Sequence, residues 1–224
     1  MELKAAEIEQ FRNPTEYQRW FTGVKERMLL ERETQHRNIL LHRGIYKIIH
    51  EELFPLYSLL TLKASEWEGC DFRNCVGNQN YDVEVLGMSL KFFEISTSEF
   101  DDGEVFRRRE LIQNGQVSGL ARTVRDARGR VVDLERRESM RRHDDVIDER
   151  ISMIRDRILS KSEKEYPANT GLLIYFDDSS VDIDNEDRQK LSDLLEVTEN
   201  TWKDRFDSVL LVGPKASICV ERHL

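Results

Sequence analysis

The sequence predicts an α/β fold: a central mixed β-sheet flanked by helices, with an N-terminal helical portion and a β-hairpin insertion. Three observations point there. Residues 1–60 carry apolar side chains at helical spacing, the period switches to two at Tyr81, and two later runs, 172–176 and 208–213, are almost continuously apolar. Strands covered on both faces have that last pattern, which belongs to sheets sandwiched between helices.

Each element has its own signal. Asn13-Pro14-Thr15-Glu16 is a helix start, with a capping side chain, a proline suited to the first turn and an acid near the positive end of the helix dipole. Trp20, Phe21, Val24, Met28 and Leu29 then recur on one helical face. A second helix is expected over 37–52, with Leu40, Leu41, Ile45, Ile48 and Ile49 as its stripe and Pro55 as its stop. Residues 63–80 lose the pattern, and Gly69, Gly77, Asn78 and Asn80 mark turns. Residues 81–86 alternate polar with apolar as a half-buried strand does, and 89–97 form a second strand close enough to pair with it as a hairpin. Short strand-like pieces follow from 104 to 134, with 124–132 read as a hairpin insertion. A long helix over 145–166 carries Val146, Ile147, Ile151, Ile154 and Ile158. Helix 185–202 lies between the two apolar strands, and 216–220 is expected as a last edge strand. No repeat or low-complexity linker divides the chain. One domain over 1–224 is the economical organisation: N-terminal helices over 1–60, a core over 81–177 with an insertion at 104–138, and a helix and strands over 178–224.

Composition narrows the setting. Hydrophobic residues are 39% and charged residues 34%, enough apolar material for a core within a chain that suits water. No apolar run reaches the roughly 18–20 residues of a membrane span, and the N-terminus lacks the order of a secretory signal. Three cysteines are few for a disulfide scaffold, so a reducing cytoplasm and no membrane are expected. A net charge of −9 argues against nucleic-acid binding by the whole surface. Residues 104–142 depart from that average, with eleven arginines, no lysines and six acidic residues. The planar guanidinium fork suits phosphate, although charge runs also serve as solvated, salt-bridged surface.

Asp82 and Glu94 are the candidate chemical centre. An antiparallel hairpin brings both to one edge, where two carboxylates make an oxygen-rich site suited to Mg2+. Glu84 shares a strand face with Asp82 by the two-residue period, as a third ligand or a solvent-facing side chain.

These residues, in the order helix, strand pair with Asp then Glu, helix, buried strand, resemble the PD-(D/E)xK restriction-endonuclease superfamily over about residues 37–177. The resemblance implies a Mg2+-dependent nuclease with Asp82 and Glu94 as catalytic metal ligands. It also places Glu51 or Glu52 at the position of an additional acidic ligand that some members carry. The triplet here is Glu94-Ile95-Ser96, so serine stands where that family has its catalytic lysine, and Tyr81 stands in place of the proline. Lys91 is three residues from Glu94 and should face the other way. Some members supply the lysine from the following helix, where Lys161 and Lys164 are the candidates. Arg150 and Arg157 are less suited because arginine stays protonated. Three readings stand: a migrated lysine, an enzyme that works without one, or an inactive nuclease fold serving as a binding or assembly module. As a nuclease, the chain would meet the DNA or RNA backbone through Arg107, Arg108, Arg109, Arg122, Arg125, Arg128 and Arg130. Cutting both strands of a duplex would favour a homodimer.

Other signals are weaker. His143-Asp144-Asp145 is similar to the doublet of HD-type phosphohydrolases, with His36, His42 and His50 upstream, but that fold is all-helical and the strands speak against it. Asp144 or Asp145 at a helix start is the simpler role. Cys70 and Cys75 lack the second ligand pair a zinc site needs. Trp20, Phe21 and Trp67 could stack on bases, but aromatics at helical spacing are usually core. No phosphate-binding Gly-x-x-x-x-Gly-Lys and no Gly-x-Ser-x-Gly pattern occurs.

Overall fold

The structure, a computed structural model, describes residues 3–98, 108–109, 111–112, 121–128, 131–136, 142–176, 182–215 and 218–224. The N-terminal helices are α1 (Ala5–Ile8), α2 (Pro14–Leu30), α3 (Arg32–Leu40), α4 (Ile45–Ile48) and α5 (Phe54–Leu62), with a π-helical turn, Ile49–Leu53, joining α4 to α5. Asn13 starts α2 as its sequence requires. Its side chain accepts from the Glu16 amide at 3.0 Å, and Glu16 accepts in return from the Asn13 amide at 3.3 Å.

Two expectations need correction here. The helix expected over 37–52 is broken: α3 stops at Leu40, His42 takes a positive φ of 47°, Gly44 one of 58°, and α4 begins at Ile45. A left-handed backbone cannot continue a right-handed helix. Nor does Pro55 end the helix, since it lies in the first turn of α5. The π-turn just before it offers the reason. Its wider hydrogen-bond spacing changes which carbonyls need amide partners where the proline has none.

Six strands form an open mixed sheet in the order β1-β2-β3-β6-β7-β8, namely β1 (Asp71–Asn74), β2 (Val83–Leu86), β3 (Phe92–Thr97), β6 (Thr170–Tyr175), β7 (Ser208–Val212) and β8 (Cys219–His223). β1, β2 and β3 are antiparallel, β3–β6 and β6–β7 are parallel, and β8 returns antiparallel at the far edge. The parallel pairs need crossovers, supplied by α6 (His143–Ser162) and α7 (Asn185–Trp202). A separate two-stranded sheet, β4 (Ala121–Arg125) with β5 (Val131–Arg136), is the expected hairpin. Strand β1 was not anticipated. Its four residues, Asp71-Phe72-Arg73-Asn74, include one large apolar side chain, and pairing with β2 decides the conformation rather than local pattern.

The two sheet faces bury different layers. Phe72, Val83, Val85, Phe93, Ile95, Leu173 and Leu210 pack with the N-terminal helices. Leu172, Ile174, Val209 and Leu211 pack with Ile154 and Ile158 of α6 and Leu191, Leu194 and Leu195 of α7. The alternation fixes the site: with Phe93 and Ile95 on the N-terminal layer, Glu94 and Ser96 face the side of α6.

Candidate functional site

The β2/β3 register pairs Val83 with Phe93 and Glu84 with Phe92. Continued by one residue, it sets Asp82 opposite Glu94. The Asp82 amide donates to the Phe93 carbonyl at 2.8 Å, and its carboxylate Oδ2 accepts from the Ile95 amide at 2.7 Å. Directly opposed residues share one sheet face, so the two carboxylates are brought together as the sequence predicts. Glu94 is buried, and its Oε1 accepts a hydrogen bond from Lys161 Nζ near the end of α6. Of the two candidate lysines, Lys161 makes the contact. Lys164 is exposed, and its charge is felt at Asp82 without a bond. Lys91 points away as expected, donating to the Met88 carbonyl at 2.7 Å.

Glu52 completes the group from the π-turn, which packs against β3. Burial, followed by the charges of Asp82, Glu51 and Glu94, pushes its carboxyl up to about 8. Asp82 is likewise raised, by burial first and then by Glu94, while the Ile95 amide and the two lysines pull the other way. Glu51 lies further out. Burial raises its carboxyl, opposed by Lys47, Arg157 and Lys161, and it pairs with Lys47 at 3.8 Å. Four elements thus deliver three mutually repelling carboxylates and one ammonium to a single locus. Mutual repulsion of this kind is what a bound cation or proton relieves. The three carboxylates do not, however, meet as a trio within 4.8 Å. Lys161 already neutralises Glu94, and the Ile95 amide holds Asp82.

Glu84, the open third carboxylate, belongs elsewhere: it accepts from Arg73 Nε at 2.9 Å on the neighbouring strand. The predicted phosphate-binding arginines divide. Arg107 and Arg130 lie outside the described residues. Arg108 donates to the Leu40 carbonyl at 3.1 Å and meets the His42 ring at 2.5 Å, so it ties the insertion to the helices. Arg109 and Arg128 are exposed, and Arg122 and Arg125 lie on β4.

The aromatic residues considered for base stacking are occupied in packing. Phe21 and Trp67 are buried, and Trp20 donates to Glu7 at 3.0 Å under the Arg12 guanidinium. Cys70 and Cys75 are free thiols.

A second cluster was not foreseen. His143, Asp184 and Asp187 place ligand atoms within 4.8 Å of one another. The doublet's aspartates, Asp144 and Asp145, are not part of it, and His42 and His50 stack on each other with ring centroids 3.9 Å apart. That group fits capping better than cation binding. Asp184 accepts from the Glu186 and Asp187 amides to start α7, and His143 Nε2 bonds Asp187 Oδ2 at 2.8 Å where α6 begins. Two helix N-termini present positive ends to this spot, which disfavours a metal ion.

Sequence reading also missed a cleft of about 390 Å3 lined by Asn78, Gln79, Asn80, Glu165, Tyr166 and Pro167. The Tyr166 hydroxyl is buried without a hydrogen-bond partner, and burial, with Glu94 and Asp82 behind it, raises its pKa. The turn residues Asn78 and Asn80 marked the loop in the sequence, but not the wall it forms against residues 165–167.

No family model matches the chain, and neither the curated proteins nor the solved structures contain a match.

Proposed function

We propose that the chain is a metal-dependent phosphodiesterase acting on nucleic acid, built on a divergent restriction-endonuclease-like core. One observation carries the reading: Lys161, from the helix after the hairpin, bonds Glu94 opposite Asp82, with Glu52 at the same locus. The order of elements supports it, with helices, an antiparallel β1-β2-β3 meander, helix α6, then β6 parallel to β3. The Lys161–Glu94 contact supports the migrated-lysine reading, in which Lys161 of α6 would do the work of the lysine absent at Ser96.

The donor set suits a hard divalent cation, because Asp82, Glu94 and Glu52 offer only oxygen. Bound there, Mg2+ or Mn2+ would supply Lewis-acid polarisation of a phosphoryl oxygen and a more acidic water. The chain's own residues do the rest. Lys161 donates to a non-bridging phosphate oxygen or to the attacking water. Asp82 is oriented by the Ile95 amide, which keeps one of its oxygens fixed. Lys164 and Arg157 add positive potential around a locus that would otherwise repel phosphate.

The test is hydrolysis of labelled single- and double-stranded DNA and RNA with Mg2+ or Mn2+, comparing wild type with Asp82→Asn and Lys161→Met. The reading expects losses of about 100-fold or more in both variants. A second reading has its own observation: the Lys161–Glu94 ion pair is already closed and the carboxylate trio is loose. An inactive module would keep the pair as scaffold, bind no cation and hydrolyse nothing.

A further inference from the structure

We infer that the cleft beside the carboxylates holds an unpaired nucleobase adjoining the phosphate to be cut; this rests on the phosphodiesterase reading above. The cleft, about 390 Å3, is shallow and open to solvent, so it can cover an edge and one side of a flat group but does not enclose a ligand. Its chemistry is wrong for phosphate. None of its lining residues is basic, and its one charged residue, Glu165, is an acid already paired with Arg205 at 3.0 Å. It is right for a neutral, flat, hydrogen-bonding group. Three successive carboxamides, Asn78, Gln79 and Asn80, line it together with Pro167 and Tyr166, whose ring packs on Phe206 with centroids 4.7 Å apart and so has at most one face left for a base.

Two of those amides are already oriented. Gln79 Nε2 donates to the Cys75 carbonyl at 2.8 Å, and Asn80 Nδ2 donates to the Glu165 carbonyl at 3.2 Å, which ties the loop to the opposite wall. Their side-chain oxygens are thereby fixed as acceptors, while Asn78 offers a whole amide. Carboxamides read base edges in this way, and aromatic faces stack on bases of any sequence. The remaining link is spatial. Tyr166 is shared, because it lines the cleft while its buried hydroxyl lies under the influence of Asp82 and Glu94. With Asn80 two residues before Asp82 and Tyr166 five residues after Lys161, a nucleotide seated with its base against Tyr166 would carry its phosphate toward Lys161. A paired base has its hydrogen-bonding edge occupied, so the cleft selects single-stranded or extruded nucleotides.

The experiment is fluorescence anisotropy with labelled 12-nucleotide single strands, DNA and RNA, each compared with an otherwise identical strand carrying abasic sites, in Ca2+ to restrain turnover. The protein is wild type, the double variant Asn78→Ala/Gln79→Ala, and Tyr166→Ala. Wild type should prefer the base-bearing strands by about tenfold, and each variant should lose most of that preference while holding the abasic strand as before. Equal binding of base-bearing and abasic strands by wild type overturns the inference. So does a preference that survives in the variants, or no strand binding at all. Calorimetric titration with Mn2+ separates the two readings. Mn2+ binding with no base preference removes the cleft alone, whereas no Mn2+ binding removes the phosphodiesterase.

Discussion

At Glu52 the sequence places an acid where the fold makes ionisation costly, and the sign of the consequence is fixed. An ordinary glutamate near 4.5 is raised to about 8 in the folded chain, so the folded state binds more protons than the unfolded state between those values. Stability is therefore lost as pH rises through that window. Glu52→Gln should raise Tm by about 3–6 °C at pH 8.5 and leave it nearly unchanged at pH 4, by differential scanning fluorimetry without added metal. An equal gain at both pH values would show that repulsion is not the cause. Mn2+ should stabilise wild type more at pH 8.5 than at pH 6, because protons compete for the same carboxylates. Lys161→Met leaves Glu94 buried without its partner, at a cost of about 3 kcal/mol in urea unfolding, and adding Glu94→Gln should recover most of it. A Lys161→Met variant as stable as wild type would place Glu94 in water. Lys161 was one of two candidates that the family resemblance offered, while the facing of Asp82 and Glu94 was legible in the sequence because strand period and hairpin order fix it. The choice of Lys161 over Lys164, and of Glu52 over Glu51, was not, since it depends on the rotation of α6 and of a π-turn that no local pattern announces.

Among elements, β6 shows how tightly the site's scaffold is packed. A methyl group at Gly171 would stand 2.7 Å from the Phe93 ring and 3.0 Å from Ser208 Oγ, and Phe93 is fully buried beside Glu94. Gly171→Ala should destabilise by about 1–3 kcal/mol and lower cleavage by moving β3. Unchanged stability would mean that the ring has room to turn. Helix α7 has the bounds expected from the sequence, and its start is well defined: Asp184 caps it and Asp187 completes a reciprocal box. Where signals were silent or conflicting, reading failed. The break at Leu40 depends on positive φ at His42, which its side chain does not foretell, and at Gly44, a glycine that the apolar stripe across 37–52 outweighed. Pro55 signals a stop that the widened turn overrides. β1 exists because β2 offers it an edge.

The whole molecule is acidic at −9, so under the proposed function nucleic-acid binding would be local, steered by the arginine-rich insertion and the positive side chains around the carboxylates. Affinity for a single strand should fall steeply with salt. Arg122→Gln/Arg125→Gln/Arg128→Gln should flatten the log–log slope by about 2. A slope unchanged by the triple variant would assign those arginines to salt bridging within the hairpin. No described helix is long and apolar enough to cross a membrane. The mixed sheet between two helical layers was readable from periodicity, because Leu172, Leu173, Val209 and Leu210 need cover on both faces. The central claim is that Asp82, Glu94, Glu52 and Lys161 form one metal-assisted hydrolytic site. It is tested most directly by the initial rate of oligonucleotide hydrolysis in Mn2+ for wild type and Lys161→Met purified identically. The account predicts measurable wild-type turnover that EDTA abolishes and a loss of about 100-fold or more in the variant. Equal rates in the two proteins, or none in wild type, would contradict it.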